Sequence, residues 1–247
     1  MKILILIVLC SFSFSGSFAQ RITQTDQQLW LGYFNQIRFS NKWGLWFDTH
    51  FRTTDQFVKE PSKFLARVGA MYYINDNLKF TNGYTFANHF PEEAHPEISQ
   101  PEHRLWHQFQ QHNTYGKVRT MHWLRLEERF RRNYKDNQLV DGYRFDERIR
   151  ANYLINVPLS KKGIVPKTFS AIVNDEVMLN LSKKNIYNTF DQNRLFVGLA
   201  YNVSSHSNLQ FGYMNVYQQL AAGNRYLNLN TIRIFYFQNL DFRKKDK

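Results

Sequence analysis

Cysteine is nearly missing from this chain of 247 residues, with Cys10 the single one. Long apolar runs are missing too. After the N-terminus no window approaches the roughly 18 consecutive apolar residues of a membrane helix. That argues against a helical membrane protein but leaves a barrel open, because barrel strands are apolar on one face only. Carboxylates are scarce, with 20 Asp and Glu against 32 Lys and Arg and a formal charge of +12. The basic residues are spread through the chain and form no single patch, so nucleic acid is not an expected partner. Catalytic and metal motifs are also lacking. There is no His-Glu-x-x-His pair, no paired-cysteine zinc pattern, no EF-hand loop and no glycine-rich phosphate loop. The serines show no nucleophile elbow. His103 and His107 share a strand face, but about 13 Å separates them at about 3.3 Å per residue, too far for one metal ion. No cofactor is expected. A hydrolytic triad drawn from several strands stays open, since such triads are recognised by geometry and not by spacing.

The first nineteen residues have the pattern of a secretory signal. Lys2 supplies the charge, Ile3 to Cys10 the apolar stretch, and Ser17 and Ala19 the small residues before the cut. Leu9 precedes Cys10 where a lipoprotein needs a small residue. Removal after Ala19 leaves 20–247 as one domain without cysteine, which excludes disulfides, thiolate catalysis and Cys-ligated zinc.

Aromatic residues make up 17% of the chain, yet the mean hydropathy is −0.53. Alternating strands reconcile the two. Trp43, Leu45, Phe47, Thr49 and Phe51 share one face, and Gly44, Trp46, Asp48, His50 and Arg52 the other. This is the period of two of a strand with unlike faces. The same test separates Phe64, Ala66, Val68, Ala70 and Tyr72 from Arg67 and its neighbours. It separates Leu195, Val197, Leu199, Tyr201 and Val203 from Arg194, Phe196, Gly198, Ala200 and Asn202. Leu227, Leu229, Thr231, Arg233, Phe235 and Phe237 share the face of the last window.

Eleven windows emerge, near 28–39, 43–53, 63–74, 77–89, 102–114, 119–132, 142–157, 167–180, 192–203, 207–218 and 225–238. Single-chain bacterial barrels have even strand numbers, so ten or twelve strands are expected in an all-β, antiparallel transmembrane barrel. Short connections near Asn41, Asn75–Asn77, Tyr115–Lys117 and Ser204–Ser207 alternate with longer ones near Asp55–Ser62, Phe90–Pro101, Tyr134–Asp141, Ser182–Asp191 and Gln219–Asn224. Leu159–Lys167 breaks that pattern. A first strand that runs toward the short turns would also start on the loop side. Either Arg21 to Gln27 adds a partial strand or one window is wrong.

Several segments resemble the bacterial outer-membrane barrel family known as domain of unknown function 2490. The likeness lies in Leu29-Trp30-Leu31, Glu102-His103-Arg104-Leu105-Trp106 and Arg125-Leu126-Glu127-Glu128-Arg129-Phe130. It continues in Asn174-Asp175-Glu176-Val177, Asp191-Gln192-Asn193-Arg194-Leu195 and Gly212-Tyr213-Met214-Asn215. The resemblance implies a barrel in the outer membrane of a Gram-negative cell, and no activity. Its implied partners are outer-membrane lipid, lipopolysaccharide and the barrel-assembly machinery.

The charged candidates lie on the polar faces: Arg104, Arg125, Glu127, Arg129, Arg131, Arg144, Asp146, Arg148, Arg150, Glu176 and Arg194. Neighbouring strands bring such side chains to roughly 5 Å, and arginine meets carboxylate through two parallel hydrogen bonds. Two readings follow. One is an ion-pair network that fills and braces a narrow lumen. The other is a pore that favours anions, as rings of arginine do. Glu128, Glu147 and Asp175 fall on the opposite, nominally lipid-facing side. They are read either as a divalent-cation and glycolipid patch above the apolar belt or as residues turned inward by a bulge. Trp30, Trp43, Trp46, Trp106 and Trp123 are expected in outward girdles or core packing ahead of a sugar-stacking platform. An outer-membrane lipid-modifying enzyme and a soluble exported ligand-binding β-protein complete the alternatives.

Overall fold

The computed structural model describes residues 22–93, 95–182, 188–220 and 223–243. The expected signal segment, with Cys10, lies outside them. The strands are β1 (Ile22–Arg38), β2 (Trp43–Thr54), β3 (Glu60–Tyr73), β4 (Leu78–His89), β5 (Gln100–Tyr115), β6 (Val118–Lys135), β7 (Gln138–Pro158), β8 (Thr168–Asn180), β9 (Phe190–Asn202), β10 (Ser207–Gln219) and β11 (Arg225–Asp241). Each pairs antiparallel with its sequence neighbours, and β1 closes on β11 in one barrel.

The closing seam corrects the even-number expectation. All eleven windows are strands, and Ile22–Gln27 is the start of β1. With an odd number of alternating strands the first and last run the same way, so β1 pairs β11 in parallel, from Ile22 opposite Arg225 to Arg38 opposite Asp241. β1 therefore starts at the end carrying the β2–β3, β4–β5, β6–β7, β8–β9 and β10–β11 connections, here the loop end. β11 finishes at the other, turn end. The parity conflict in the sequence came from assuming an even count.

The connection read across Tyr134–Asp141 is corrected as well. β6 and β7 continue past it as a paired ribbon and meet in a two-residue turn at Asp136 and Asn137. Both residues have positive φ, 48° and 59°. Two left-handed positions match the twist of a tight hairpin, and Asp and Asn tolerate them. The polar composition of this segment had the look of a loop.

Alternation sets the two faces of the wall. Along β2, Trp43, Leu45, Phe47 and Phe51 are exposed outward, whereas Gly44, Trp46, Asp48, His50 and Arg52 are buried inward. On β9, Leu195 and Val197 point out and Phe196 and Ala200 in. Outward aromatic pairs gather toward both ends. Trp43 meets Tyr72 edge-on at 5.1 Å, and Phe169 meets Tyr201 at 5.0 Å, toward the turns. Toward the loops, Tyr84, His103 and Tyr143 adjoin. Aliphatic Val68, Val173, Val197 and Ile232 lie exposed between.

The interior is not uniformly ionic. One sector, walled by β8 to β11 and β1, holds an apolar cluster of Trp30, Ile172, Phe196, Ala200, Met214, Val216, Leu229 and Phe235. The Leu227–Phe237 face of β11 thus points inward. The tryptophans divide between the two expected places: Trp43 is exposed outward, whereas Trp30, Trp46 and Trp106 are packed in the interior and Trp123 lines the cavity. A buried indole needs an acceptor for its N–H. Trp30 donates to Gln28 at 2.7 Å, and Trp46 donates to Asp48. Trp106 lies against glycine: a Cβ on Gly83 would come within 2.4 Å of its ring.

Candidate functional site

The remaining sector, walled by β2 to β7 and reaching β8 and β9, carries the charge. Register explains why. Glu127 is opposite Trp106 on β5 and Arg148 on β7, and Arg125 is opposite Gln108 and Arg150. Odd-numbered positions of β6 and even-numbered positions of β5 and β7 therefore meet on one inner surface.

Two carboxylates anchor the network. Glu127 accepts from Arg148 at 2.6 Å and from Arg150, and lies 3.6 Å from Arg104 and 3.7 Å from Arg125. Glu102 accepts from Arg129 at 2.6 Å and Arg104 at 2.8 Å, and lies 3.6 Å from Arg131. The oxygen that accepts from Arg104 is also 2.6 Å from His89 Nε2. Asp146 is fully buried 3.2 Å from Arg129. Glu176 joins Arg150 to Arg194, the latter at 3.3 Å, and Asp191 takes Arg148 at 2.6 Å. A separate cluster on β2 and β3 holds Asp48 against Arg67 at 2.7 Å and His50 at 3.0 Å. Charges drawn out of bulk water need such partners.

Every sequence-read candidate of the polar face, from Arg104 to Arg194, faces this interior. Arg144 sits apart from the ion pairs, exposed at the loop mouth. The sequence reading passed over Asp48, His50, Arg52, Lys63, Arg67, Glu102, Asp191 and Arg233. Asp48, His50 and Arg52 already stood on the non-apolar face of the clearest window. The signal that they join a site is the pairing of β2 with β3, which a sequence does not display.

Cations exceed anions. Among the buried residues are eight arginines and Lys79, against Asp48, Glu102, Glu127, Asp146, Glu176 and Asp191. Arg233 has no carboxylate partner among the described residues; it donates to Gln210 at 2.9 Å and lies 3.3 Å over the Phe196 ring. A cavity of about 1050 Å³ passes these side chains. Its lining runs from Arg38, Asp76 and His206 at the turn end to Glu92, Leu220 and Arg225 at the loop end. At the turn mouth, Arg38 donates to Asp76 at 2.7 Å and holds its carboxyl below the usual value.

The outward carboxylates do not form a trio. Glu128 and Glu147 are opposite each other on β6 and β7. Asp175 is opposite Tyr153, six residues along β7 from Glu147, or about 20 Å at about 3.3 Å per residue. The register shifts fall at Arg52/Thr53, Arg132/Tyr134 and Met178/Leu179 and touch none of the three. Ser182 donates its hydroxyl toward Glu147 at 3.5 Å, and Asn193 donates to Asp175 at 2.7 Å. Among the described residues no group of three His, Cys, Asp or Glu side chains is placed to hold a metal ion. His50 and His89 face carboxylates, and neither has a serine hydroxyl among its partners.

No curated protein and no solved structure matches the chain. Residues 27–227 match the family described as protein of unknown function (DUF2490). Each of the short motifs that resemble it lies on its own strand, and the chain belongs to that family.

Proposed function

We propose that this chain is an outer-membrane barrel whose lumen passes small anions. The observation that carries the reading is the surplus of buried arginine over carboxylate along a cavity whose lining reaches both ends. Fixed cations in a low-dielectric passage attract anions and repel cations. The outward belt of leucine, valine and paired aromatics supports a bilayer setting, since a soluble barrel keeps such rows inside. Export through a cleaved N-terminal signal belongs to the same proposal.

Planar-bilayer recording across a salt gradient tests the passage. The sign of the reversal potential is expected to report anion preference. Cation preference, or no conductance from heat-modifiable, correctly folded protein, contradicts it. The second reading is a closed, braced barrel, favoured by the apolar cluster around Trp30 and Phe196, which fills one sector of the interior. Silence in the same recording supports that reading.

A further inference from the structure

Arg52 and Lys63 are register partners on β2 and β3, both on the inner face. Neither has an ion pair or a hydrogen bond to its charged end among the described residues. Arg52 is 8% exposed and its Nε has no partner. Its guanidinium instead lies 3.4 Å over the Trp30 ring, and Arg194 lies 4.9 Å over the same ring. The strongest electrostatic neighbours of Arg52 are all cationic: Arg194, Arg67, Arg104 and Arg150. The nearby carboxylates are already engaged: Glu176 by Arg150 and Arg194, Asp48 by Arg67, and Glu102 by Arg104 and Arg129. A buried arginine beside a lysine, with the surrounding acids committed elsewhere, lacks its counter-ion.

Toward the loop mouth the next inward residues are amides. Gln28 accepts the Trp30 N–H at 2.7 Å, Gln192 accepts from Arg194 Nε at 2.8 Å, and Gln192 donates to Gln218 at 3.2 Å. Amides both donate and accept, which suits hydroxyl groups. Guanidinium planes suit the paired oxygens of carboxylate or phosphate.

We infer that Arg52 and Lys63, with Arg194 and Trp30 beside them, form a binding seat for the acidic group of a sugar acid or sugar phosphate, whose hydroxyls meet the glutamine collar. This rests on the anion-passing reading and names the class of solute that pauses in the passage.

Titration calorimetry of the purified full chain in detergent, with glucuronate, inorganic phosphate and glucose as probes, tests it. Glucuronate is expected to bind and to displace phosphate, and glucose to give no heat. Arg52→Gln and Lys63→Gln are each expected to weaken glucuronate by about tenfold or more, the size of one lost charge-assisted contact. Lys161→Gln, exposed in the β7–β8 connection and away from the cavity lining, is expected to leave it unchanged. Heat-modifiable migration reports that each variant is folded. Equal affinity for glucuronate and phosphate removes the glutamine collar from recognition and overturns the solute class. Binding insensitive to Arg52→Gln and Lys63→Gln, or absent in the unaltered protein, overturns the seat. If binding persists and conductance is absent, the passage fails and the seat stands. If conductance is anion-selective and binding is absent, the seat fails and the passage stands.

Discussion

Glu127 accepts both Nε and Nη2 of Arg148 on a single oxygen, at 3.2 and 2.6 Å, across the β6–β7 pairing. Its other oxygen takes Arg150. One fully buried carboxylate thus faces two guanidinium groups in a low-dielectric wall, whose other carboxylate partners are Asp191 for Arg148 and Glu176 for Arg150. Replacing Glu127 by Gln keeps the shape and removes the charge. Breaking a buried pair in this way costs about 3–5 kcal/mol. The midpoint of heat-modifiable unfolding is expected to fall, and a second substitution, Arg148→Met, is expected to recover part of the loss.

A packing prediction concerns Gly83. A methyl there would lie 2.4 Å from the Trp106 indole and 2.5 Å from the Val68 carbonyl. The backbone oxygen belongs to the pairing with β3 and has little freedom to move, so the strain falls on the wall. Gly83→Ala is expected to cost about 1–3 kcal/mol, the usual range for overpacking, measured by denaturant midpoint in detergent. Gly116, where a Cβ meets nothing within 4 Å but φ is +61°, is expected to show a smaller loss, from backbone strain alone.

Depth along the wall makes a third prediction. Val197 is 52% exposed near the middle of β9, and Tyr115 is 65% exposed at the end of β5. Arginine on a lipid face costs about 2–4 kcal/mol at the midplane and about 0–1 near the interface. Val197→Arg is therefore expected to impair folding into vesicles strongly and Tyr115→Arg weakly. Equal effects would place both positions in water.

The loop mouth makes a fourth. Arg131 and Arg144 are register partners there, and both line the cavity. Reversing Arg144 alone to Glu changes the mouth by two charges and spares Arg131, which lies 3.6 Å from Glu102. Anion preference, read from the reversal potential, is expected to fall sharply at low salt and less at high salt, where screening is shorter-ranged. An unchanged potential would mean that ions do not pass this mouth.

The strands were legible because β2, β3, β4 and β9 alternate without interruption, and the wall keeps that period. The inward set from Arg125 to Arg150 followed from the same alternation. Three features were not legible. The parallel seam depends on counting all eleven strands, and closure is a property of the whole ring. The apolar interior of β10 and β11 was hidden because Phe235 and Phe237 resemble lipid-facing residues; only their neighbours Phe34 and Phe196, from distant strands, mark that side as inside. The seat at Arg52 was hidden because a lone arginine on a polar face carries no sign that its partners are already taken. That appears only when Asp48, Glu102 and Glu176 are each seen bonded elsewhere.

The central claim is that the apolar rows meet hydrocarbon while the ionic rows enclose the lumen. Single cysteines at Val197 on the outer face and Gln192 on the inner face of β9, in a chain whose own cysteine lies at position 10, allow nitroxide labelling in reconstituted vesicles. Collision of each label with oxygen and with a water-soluble nickel chelate is then measured. The predicted result is a Val197 label relaxed by oxygen and shielded from nickel, with the Gln192 label showing less oxygen contact. A Val197 label freely relaxed by the nickel chelate would contradict the account.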